Sequence, residues 1–222
     1  MRKALLSCAV LASDAAALGT VTVSGPKAKL FKNGGHPLIF SGAIKQIQNA
    51  QCGEAVDVVD GAGELIGWGV FNPHSQYRVR MLAPANEPAL LDHRSIEEVV
   101  RTRLVAAAQR REACCLPSTQ TTAYRLINSE GDGISGLTVD VFGSTAVAIS
   151  SALWLELRAP AVQAALRELP GIDHVVWRRS DGRRIHPQRP QLRRGRRHAD
   201  LRVLRVDILP HAPTERAAPW WD

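Results

Sequence analysis

The sequence has no apolar run long enough to cross a membrane, and no cluster of cysteine and histidine with the spacing of a zinc site. Aromatic residues make up only 5% of its 222 residues. The four cysteines are Cys8, Cys52, Cys114 and Cys115. They include no C-x-x-C pair, and adjacent cysteines have poor geometry for an ordinary disulfide. We therefore expect no membrane partner, no metal, and buried or idle thiols in a reducing cytoplasm.

The first residues imitate a signal peptide without completing one. Arg2 and Lys3 provide a charged start, but Ser7 and Cys8 interrupt the apolar run that follows. We expect residues 1–20 to be a loose N-terminal extension, with export as the alternative.

The net charge of +7 is carried by one end of the chain. Residues 1–177 contain 16 basic and 16 acidic residues, whereas residues 178–222 contain 12 arginines, no lysine and 5 acidic residues. The overall charge therefore does not indicate that the body of the chain binds nucleic acid. We expect residues 180–222 to be disordered. Their composition is typical of a GC-rich gene translated out of frame, which we favour over a basic arm that binds RNA non-specifically.

Short β-like runs separated by turn residues occupy the chain from Val21 to Leu82. The runs cover residues 21–23, 37–41, 55–59, 65–71 and 77–82. In the last run, alternation places Tyr77, Val79 and Met81 on one face and the intervening arginines on the other. Many short strands in about sixty residues predict a small closed or half-closed barrel.

The second half of the chain begins with a helix signal. Ser95 with Glu98 forms a capping box, and the apolar residues Ile96, Val99, Val100, Leu104 and Ala107 then recur at helical spacing. Strands are predicted at residues 124–128, 137–142 and 145–150, then a helix at about 156–169 and a strand at 174–177. The predicted fold class is therefore α+β: an N-terminal barrel followed by a small strand-strand-strand-helix-strand domain.

The run Gly131–Gly136 matches the G-x-G-x-x-G pattern of dinucleotide sites. Such a site needs the run to open a helix, but residues 137–142 alternate like a strand. A glycine-rich turn between two strands is the favoured interpretation.

Basic residues surround the short apolar strand between Gly35 and Gly42. Lys27, Lys29, Lys32 and Lys45 flank it, and they are consistent with a phosphate-facing edge or with a solvated fringe of the barrel. Arg78 and Arg80 likewise fit either a face that grips phosphates or stacks on bases, or a merely exposed face. No arrangement of nucleophile and base is evident, so no catalytic residue is assigned.

Four stretches of the sequence resemble one family. Residues 29–44, with Gly35-His36-Pro37-Leu38-Ile39-Phe40-Ser41-Gly42, are similar to its H-P-W-[VI]-[FY]-S-G-A-[VI] opening, with Leu38 in place of Trp. Residues 53–60, 69–80 and 124–140 resemble its G-[ED]-x-[VI]-x-[VI]-x-[DN], G-x-[YF]-[NS]-P-x-S-x-[IY]-x-[VA]-R and Y-R-L-[IV]-x-x-E-x-D-G-[LI]-x-G-[LI]-x-[VI]-D stretches. The family is the class I, S-adenosylmethionine-dependent methyltransferases that modify cytosine C5 in 23S rRNA.

The resemblance implies a domain organisation. Residues 21–85 are expected to be a PUA-like RNA-binding domain, residues 86–118 a helical linker and residues 119–179 a central α+β domain. In the family, a Rossmann-like domain that holds the methyl donor and the cysteine nucleophile follows. The resemblance stops after Asp181, so we expect this chain to lack that domain, to bind no cofactor and to be inactive alone.

The function that the resemblance implies is RNA binding, with 23S rRNA as the expected partner. The candidate RNA-binding residues are Lys29, Lys32, His36, Ser41, Gly42, Lys45, Arg78 and Arg80. One alternative is a stand-alone PUA protein that acts as an RNA-binding adaptor. Another is a structural protein whose barrel no longer binds anything.

Overall fold

The computed structural model describes residues 18–91 and 95–180. Most of the N-terminal extension and the arginine-rich tail lie outside these residues. The prediction that the tail is disordered therefore concerns residues outside the described ranges. The fold class is α+β, with two sheets built from successive parts of the chain.

Six strands form the first sheet, which curls into a half-barrel. They are β1 (Gly19–Val23), β2 (Leu38–Phe40), β3 (Ile44–Gln48), β4 (Ala55–Val59), β5 (Leu65–Phe71) and β6 (Tyr77–Pro84). Their order is β2-β6-β5-β4-β1-β3, and every neighbouring pair is antiparallel except the parallel pair β1 and β4. A short helix, α1 (Gly25–Ala28), and 3-10 turns at Lys32–Gly34 and Ser41–Ala43 join the first three strands.

The barrel interior follows from the alternation of apolar residues, as predicted. In β1 and β4 one side of the strand faces inward and is fully buried, with Val21 and Val23 in β1 and Val56 and Val58 in β4. The strand β3 was not predicted, because four of its five residues are exposed and its sequence carries no apolar alternation.

Strand β5 is buried on both faces. Phe71 packs in the barrel core, whereas Trp68 belongs to a second core shared with the rest of the chain, and its Nε1 donates to the carbonyl of Leu90 at 3.0 Å. A Cβ at Gly67 or Gly69 would collide with the backbone of β6, so these glycines allow the two strands to approach closely. Strand β5 therefore forms the boundary between the two cores.

The remaining elements build the second sheet and the helices that cover it. They are α2 (Pro88–Leu91), α3 (Ile96–Ala113), β7 (Ala123–Asn128), a 3-10 turn (Ser129–Asp132), β8 (Leu137–Phe142), β9 (Thr145–Ser150), α4 (Leu153–Leu157), α5 (Ala159–Arg167) and β10 (His174–Arg179). The sheet order is β10-β9-β8-β7, with only β9 and β10 parallel. This succession confirms the predicted strand-strand-strand-helix-strand order.

The helix α3 begins where the sequence predicts. The N–H of Glu98 donates to the Ser95 hydroxyl at 3.2 Å, which caps the helix. All five apolar residues predicted for its buried face are buried. This stripe shares one core with residues of β5 and β6 in the half-barrel and with the residues of the second sheet.

Two local predictions are wrong. The helix expected at about 156–169 is two helices that break at Arg158, and Pro160 lies in the first turn of the second, where a missing N–H costs nothing. The prediction that Tyr77 shares a face with Val79 is also wrong. The register of β2 against β6 shifts by one residue, so that Ile39 pairs with Val79 but Phe40 pairs with Tyr77. This irregularity moves Tyr77 to the face opposite Val79.

The run Gly131–Gly136 joins two antiparallel strands, as predicted. It contains the end of a 3-10 turn, and Gly133 and Gly136 have φ of 74° and 91°, which an L side chain rarely adopts. No helix starts there, so the run does not fit the phosphate of a nucleotide cofactor.

Candidate nucleic-acid interface

The segment from residue 18 to residue 53 contains four lysines and no acidic residue. It runs from β1 through α1 and β2 to the end of β3 and the turn that follows it. We call residues 27–45, with residues 76–78 that lie beside β2, the basic rim. The first 177 residues are neutral in total, but this segment of the half-barrel carries a local excess of positive charge.

Three cations of the basic rim are available to a ligand. Lys29, Lys45 and Arg78 make no side-chain hydrogen bond or ion pair with any residue in the described ranges. Lys29 and Lys45 are exposed, and Arg78 is partly exposed. Free cations of this kind can meet phosphate groups without first breaking an internal pair.

Lys32, in contrast, is already paired. Its Nζ lies 2.7 Å from Asp60 and 3.3 Å from Glu64, both in the turn between β4 and β5. The hydrogen bond from Lys32 lowers the pKa of Asp60, and the same bond raises the pKa of Lys32. Asp60 also accepts from the N–H groups of Ala62 and Glu64, so this carboxylate organises the hairpin turn.

The backbone around Ser41 and Gly42 forms an exposed corner between β2 and β3. The Ser41 N–H donates to the carbonyl of Gln76 at 2.9 Å, and Lys27 Nζ donates to the carbonyl of Gly42 at 2.6 Å. A Cβ added at Gly42 would meet nothing within 4 Å, so a ligand can approach the backbone closely there. The corner thus brings a lysine and an open backbone together.

A row of aromatic rings runs beside this corner, and sequence reasoning did not identify it. The ring centroids of His36 and Phe40 are 5.6 Å apart, and those of Phe40 and Tyr77 are 5.0 Å apart. His36 also lies 6.4 Å from Phe31, which is buried in the barrel core. The shift in register that turns Tyr77 to the outer face could not be read from the sequence, so neither could the row.

Arg80 is engaged in the structure rather than free. It is mostly buried, its Nη1 lies 2.6 Å from the Ser135 hydroxyl and 3.2 Å from Glu130, and its guanidinium lies 5.6 Å from the centre of the Tyr77 ring. Burial lowers its pKa, although Glu130 opposes that effect. Arg80 therefore ties the half-barrel to the turn after β7.

A second set of charges lies where α3 meets that turn. Asp132 is 4% exposed and accepts from Arg110 at 2.7 Å, from Arg111 at 2.6 Å and from the Asn128 N–H at 2.6 Å. Burial alone would raise the pKa of Asp132, but the hydrogen bonds from Arg111 and Arg110 outweigh it and lower that pKa. The carboxylate is a fully partnered structural anchor.

A cavity of about 250 Å³ opens between the loop before β2 and the turn after β7. Its charged lining groups are Glu87, Arg103, Arg110, Glu130 and Asp132. Each of them is paired within the protein, as Arg103 with Glu87, Arg110 with Asp132 and Glu130 with Arg80. A ligand there would have to displace existing ion pairs, so the basic rim offers the better site.

The described part of the chain offers neither a metal site nor a membrane-spanning helix. Within residues 18–91 and 95–180, no three His, Cys, Asp or Glu side chains come together as a metal site would require. None of the helices in those ranges is long and apolar enough to cross a membrane. Cys52, Cys114 and Cys115 are exposed free thiols.

Comparison with known proteins identifies the half-barrel. Residues 21–84 match the model of the PUA-like domain, which agrees with the curled sheet seen here. The expected PUA-like fold of the N-terminal part is thus confirmed.

The chain is also similar to curated proteins named "Ribosomal RNA large subunit methyltransferase I". It is 33% identical over 147 residues to the protein of Escherichia coli (strain SMS-3-5 / SECEC), and 34% identical over 147 residues to that of Erwinia tasmaniensis. The match with the protein of Alteromonas mediterranea is 32% over 148 residues. In each case 66% of this chain is covered, but only 35% of the relative. The chain therefore spans about a third of the length of these relatives.

Two solved structures share the fold. One is SMU.776, described as a methyltransferase and crystallised with SAH, and the other is described as a SAM-dependent methyltransferase from Streptococcus mutans. Their TM-scores are 0.57 and 0.58, at 18% identity, over 72% of this chain and 40% of the other. At this identity the likeness speaks for the fold alone.

Proposed function

We propose that residues 21–180 hold RNA, with the basic rim of the PUA-like half-barrel as the contact surface, as part of a protein of the rRNA large-subunit methyltransferase kind. The observation that carries the proposal is that Lys29, Lys45 and Arg78 have no charged or hydrogen-bonding partner among the described residues, and that the basic rim to which they belong contains no acidic residue. A solvated fringe has no need to keep acidic residues away, whereas a phosphate-binding surface does.

The similarity to the named relatives supports ribosomal RNA of the large subunit as the partner. Methylation at cytosine C5 with S-adenosylmethionine as the donor is the chemistry that the motif resemblance suggests for such a protein, and it would take place in the cytoplasm. We assign no step of methyl transfer to residues 21–180. Their role is to position the RNA.

Of the eight residues that the sequence suggested, we keep six as contacts: Lys29, His36, Ser41, Gly42, Lys45 and Arg78. We assign Lys32 and Arg80 to supporting the surface, because their charges are already matched by Asp60 and Glu130. Removing either would disturb the fold as well as the surface.

The test is RNA binding by the full chain, measured by fluorescence anisotropy with a labelled fragment of 23S rRNA. Replacing Lys29, Lys45 and Arg78 by Gln together is expected to weaken binding about tenfold or more at about 150 mM salt. The matched control replaces Arg193, Arg194 and Arg196 of the tail by Gln. A tenfold loss in the control with no loss in the first variant would assign RNA binding to the tail and overturn the proposal.

A further inference from the structure

The rings of His36, Phe40 and Tyr77 form a contiguous row in which neighbouring rings are tilted or meet edge to face. Successive centroids are 5.6 and 5.0 Å apart, and the interplanar angles are 45° and 60°. Phe40 and Tyr77 sit at opposite positions of β2 and β6, and β2 is the outermost strand of its sheet. The rings are therefore held by backbone pairing at the open edge of the half-barrel.

This row leaves part of its ring surface in water. Phe40 is 43% exposed and His36 is exposed, although aromatic residues make up only 5% of the chain. Leaving a ring in water gives up the stabilisation that its burial would bring. An exposed ring that is ordered by its neighbours is better suited to binding than to stability.

The inner end of the row is fixed by a cation. The Arg80 guanidinium lies 5.6 Å from the Tyr77 centroid, and Glu130 and Ser135 hold that guanidinium in place. At the other end, Nδ1 of His36 lies 2.9 Å from the carbonyl oxygen of Leu38 and 3.2 Å from its backbone nitrogen, so the backbone of Leu38 holds the ring in either tautomer. Both ends of the row are thus oriented before any ligand arrives.

The row borders the groups that suit a phosphate backbone. Ser41 and Gly42 directly follow Phe40, Lys27 reaches the carbonyl of Gly42, and Lys45 lies three residues further on. Aromatic rings next to cations are the combination that binds unpaired bases together with their phosphates. In a duplex, stacking on the neighbouring base pairs already occupies the faces of the bases.

We infer that His36, Phe40 and Tyr77 form a platform on which unpaired bases of RNA stack, while their phosphates lie along the Ser41–Lys45 side of the basic rim. This inference rests on the proposed function and adds the class of RNA to it: single-stranded or looped RNA rather than continuous helix.

The test uses the full chain and two probes: an RNA strand of about 12 nucleotides, within the usual range of single-strand sites, and the same strand annealed to its complement. Phe40→Leu keeps an apolar side chain of similar size but removes the ring. We expect it to weaken binding of the single strand about tenfold and to leave duplex binding unchanged. Phe40→Tyr, which keeps the ring, is expected to bind as the wild type does.

Phe142→Leu is the matched control. Phe142 is 56% exposed on the second sheet and makes no ring contact with any other described residue. Circular dichroism of both leucine variants checks that they are folded, and Tyr77→Leu provides a second variant of the row. A further variant, Leu38→Trp, adds a ring to the side of β2 that carries Phe40 and is expected to tighten single-strand binding.

The outcomes separate the two proposals. If the wild type binds neither probe nor the 23S fragment, the proposed function fails. If the wild type binds RNA but Phe40→Leu and Tyr77→Leu bind the single strand as tightly as Phe142→Leu does, RNA binding stands and the platform is wrong. Stronger binding of the duplex than of the single strand by the wild type would also overturn the platform.

Discussion

The basic rim and the second half of the chain differ in whether their charged side chains form ion pairs. In the rim, Lys29, Lys45 and Arg78 have no partner among the described residues. In the second half, most charges are matched across elements, as in Arg125 with Asp140 at 2.9 Å and Arg179 with Glu156 at 2.8 Å. Paired charges hold elements together, whereas unpaired charges of one sign remain available for a partner outside the chain. This difference is what the proposed function requires, with one region for contact and one for support.

The largest effect on stability is expected from a substitution of Asp132 in the second half of the chain. Asp132→Asn removes the carboxylate that holds Arg110, Arg111 and the Asn128 N–H, and it leaves Arg111 with an unmatched charge in a mostly buried position. We expect the free energy of unfolding to fall by about 3 kcal/mol, measured by urea denaturation. RNA affinity of the folded variant should stay within about twofold of the wild type.

The control for Asp132 is Asp140→Asn. Asp140 is 28% exposed and its partner Arg125 is 51% exposed, so this pair lies near solvent. Its loss is expected to cost less than about 1 kcal/mol. Equal losses for the two variants would show that burial does not distinguish these pairs.

The next largest effect is expected at Arg158, which links the half-barrel to the helices. Its Nη1 donates to the carbonyl of Gly53 at 2.9 Å, and it lies 3.3 Å from Glu54 and from Glu97. Arg158→Met keeps most of the volume and is expected to lower the free energy of unfolding by about 2 kcal/mol in the same denaturation experiment. A change below about 0.5 kcal/mol would mean that this link does not stabilise the fold.

The effect of pH follows from the lowered pKa of Asp132. A carboxyl group with a folded-state pKa below its unfolded value of about 3.9 stabilises the fold above that value, and the stabilisation is lost as pH falls through the folded-state pKa. The difference in unfolding free energy between the wild type and Asp132→Asn should be constant from about pH 7 to pH 5 and shrink below about pH 4. Urea denaturation at each pH measures it, and a difference that grows in acid would contradict the assignment.

Alternation and capping were enough to predict most of the fold. The strands β1, β4, β5 and β8 and the start of α3 follow from local patterns that the structure reproduces. The strand β3 escaped because its residues are polar and exposed. It is held in place by pairing with β1, which is a tertiary effect that leaves no local pattern.

The candidate site could be predicted only by residue type. The sequence shows which side chains are basic, but Lys32 and its partner Asp60 are 28 positions apart, and Arg80 and Glu130 are 50 apart. Pairs so distant along the chain become visible only once the strands are assembled. The same is true of Phe40 and Tyr77, which meet because the register of two strands shifts.

The smallest expected effect is the change in RNA affinity when a single positive charge is removed from one region or the other. Lys29→Gln is expected to weaken binding of the 23S fragment about threefold at about 100 mM salt and to leave stability unchanged, because the side chain of this lysine holds no other described residue. Arg125→Gln also removes one positive charge, but from a pair on the second sheet, and should leave RNA affinity within about 1.5-fold of the wild type. Anisotropy titrations of both variants provide the measurement. Equal weakening by both would mean that only total charge matters.

Ultraviolet cross-linking of the full chain to the 23S fragment, followed by trypsin digestion and mass spectrometry, tests the central claim most directly. Trypsin cleaves after Lys32 and Lys45, so residues 33–45 leave as one peptide that contains His36 and Phe40. We predict that this peptide carries the most cross-linked nucleotide. Cross-links confined to the arginine-rich residues after 180, or to residues 126–158 of the second sheet, would contradict the assignment of RNA binding to the basic rim.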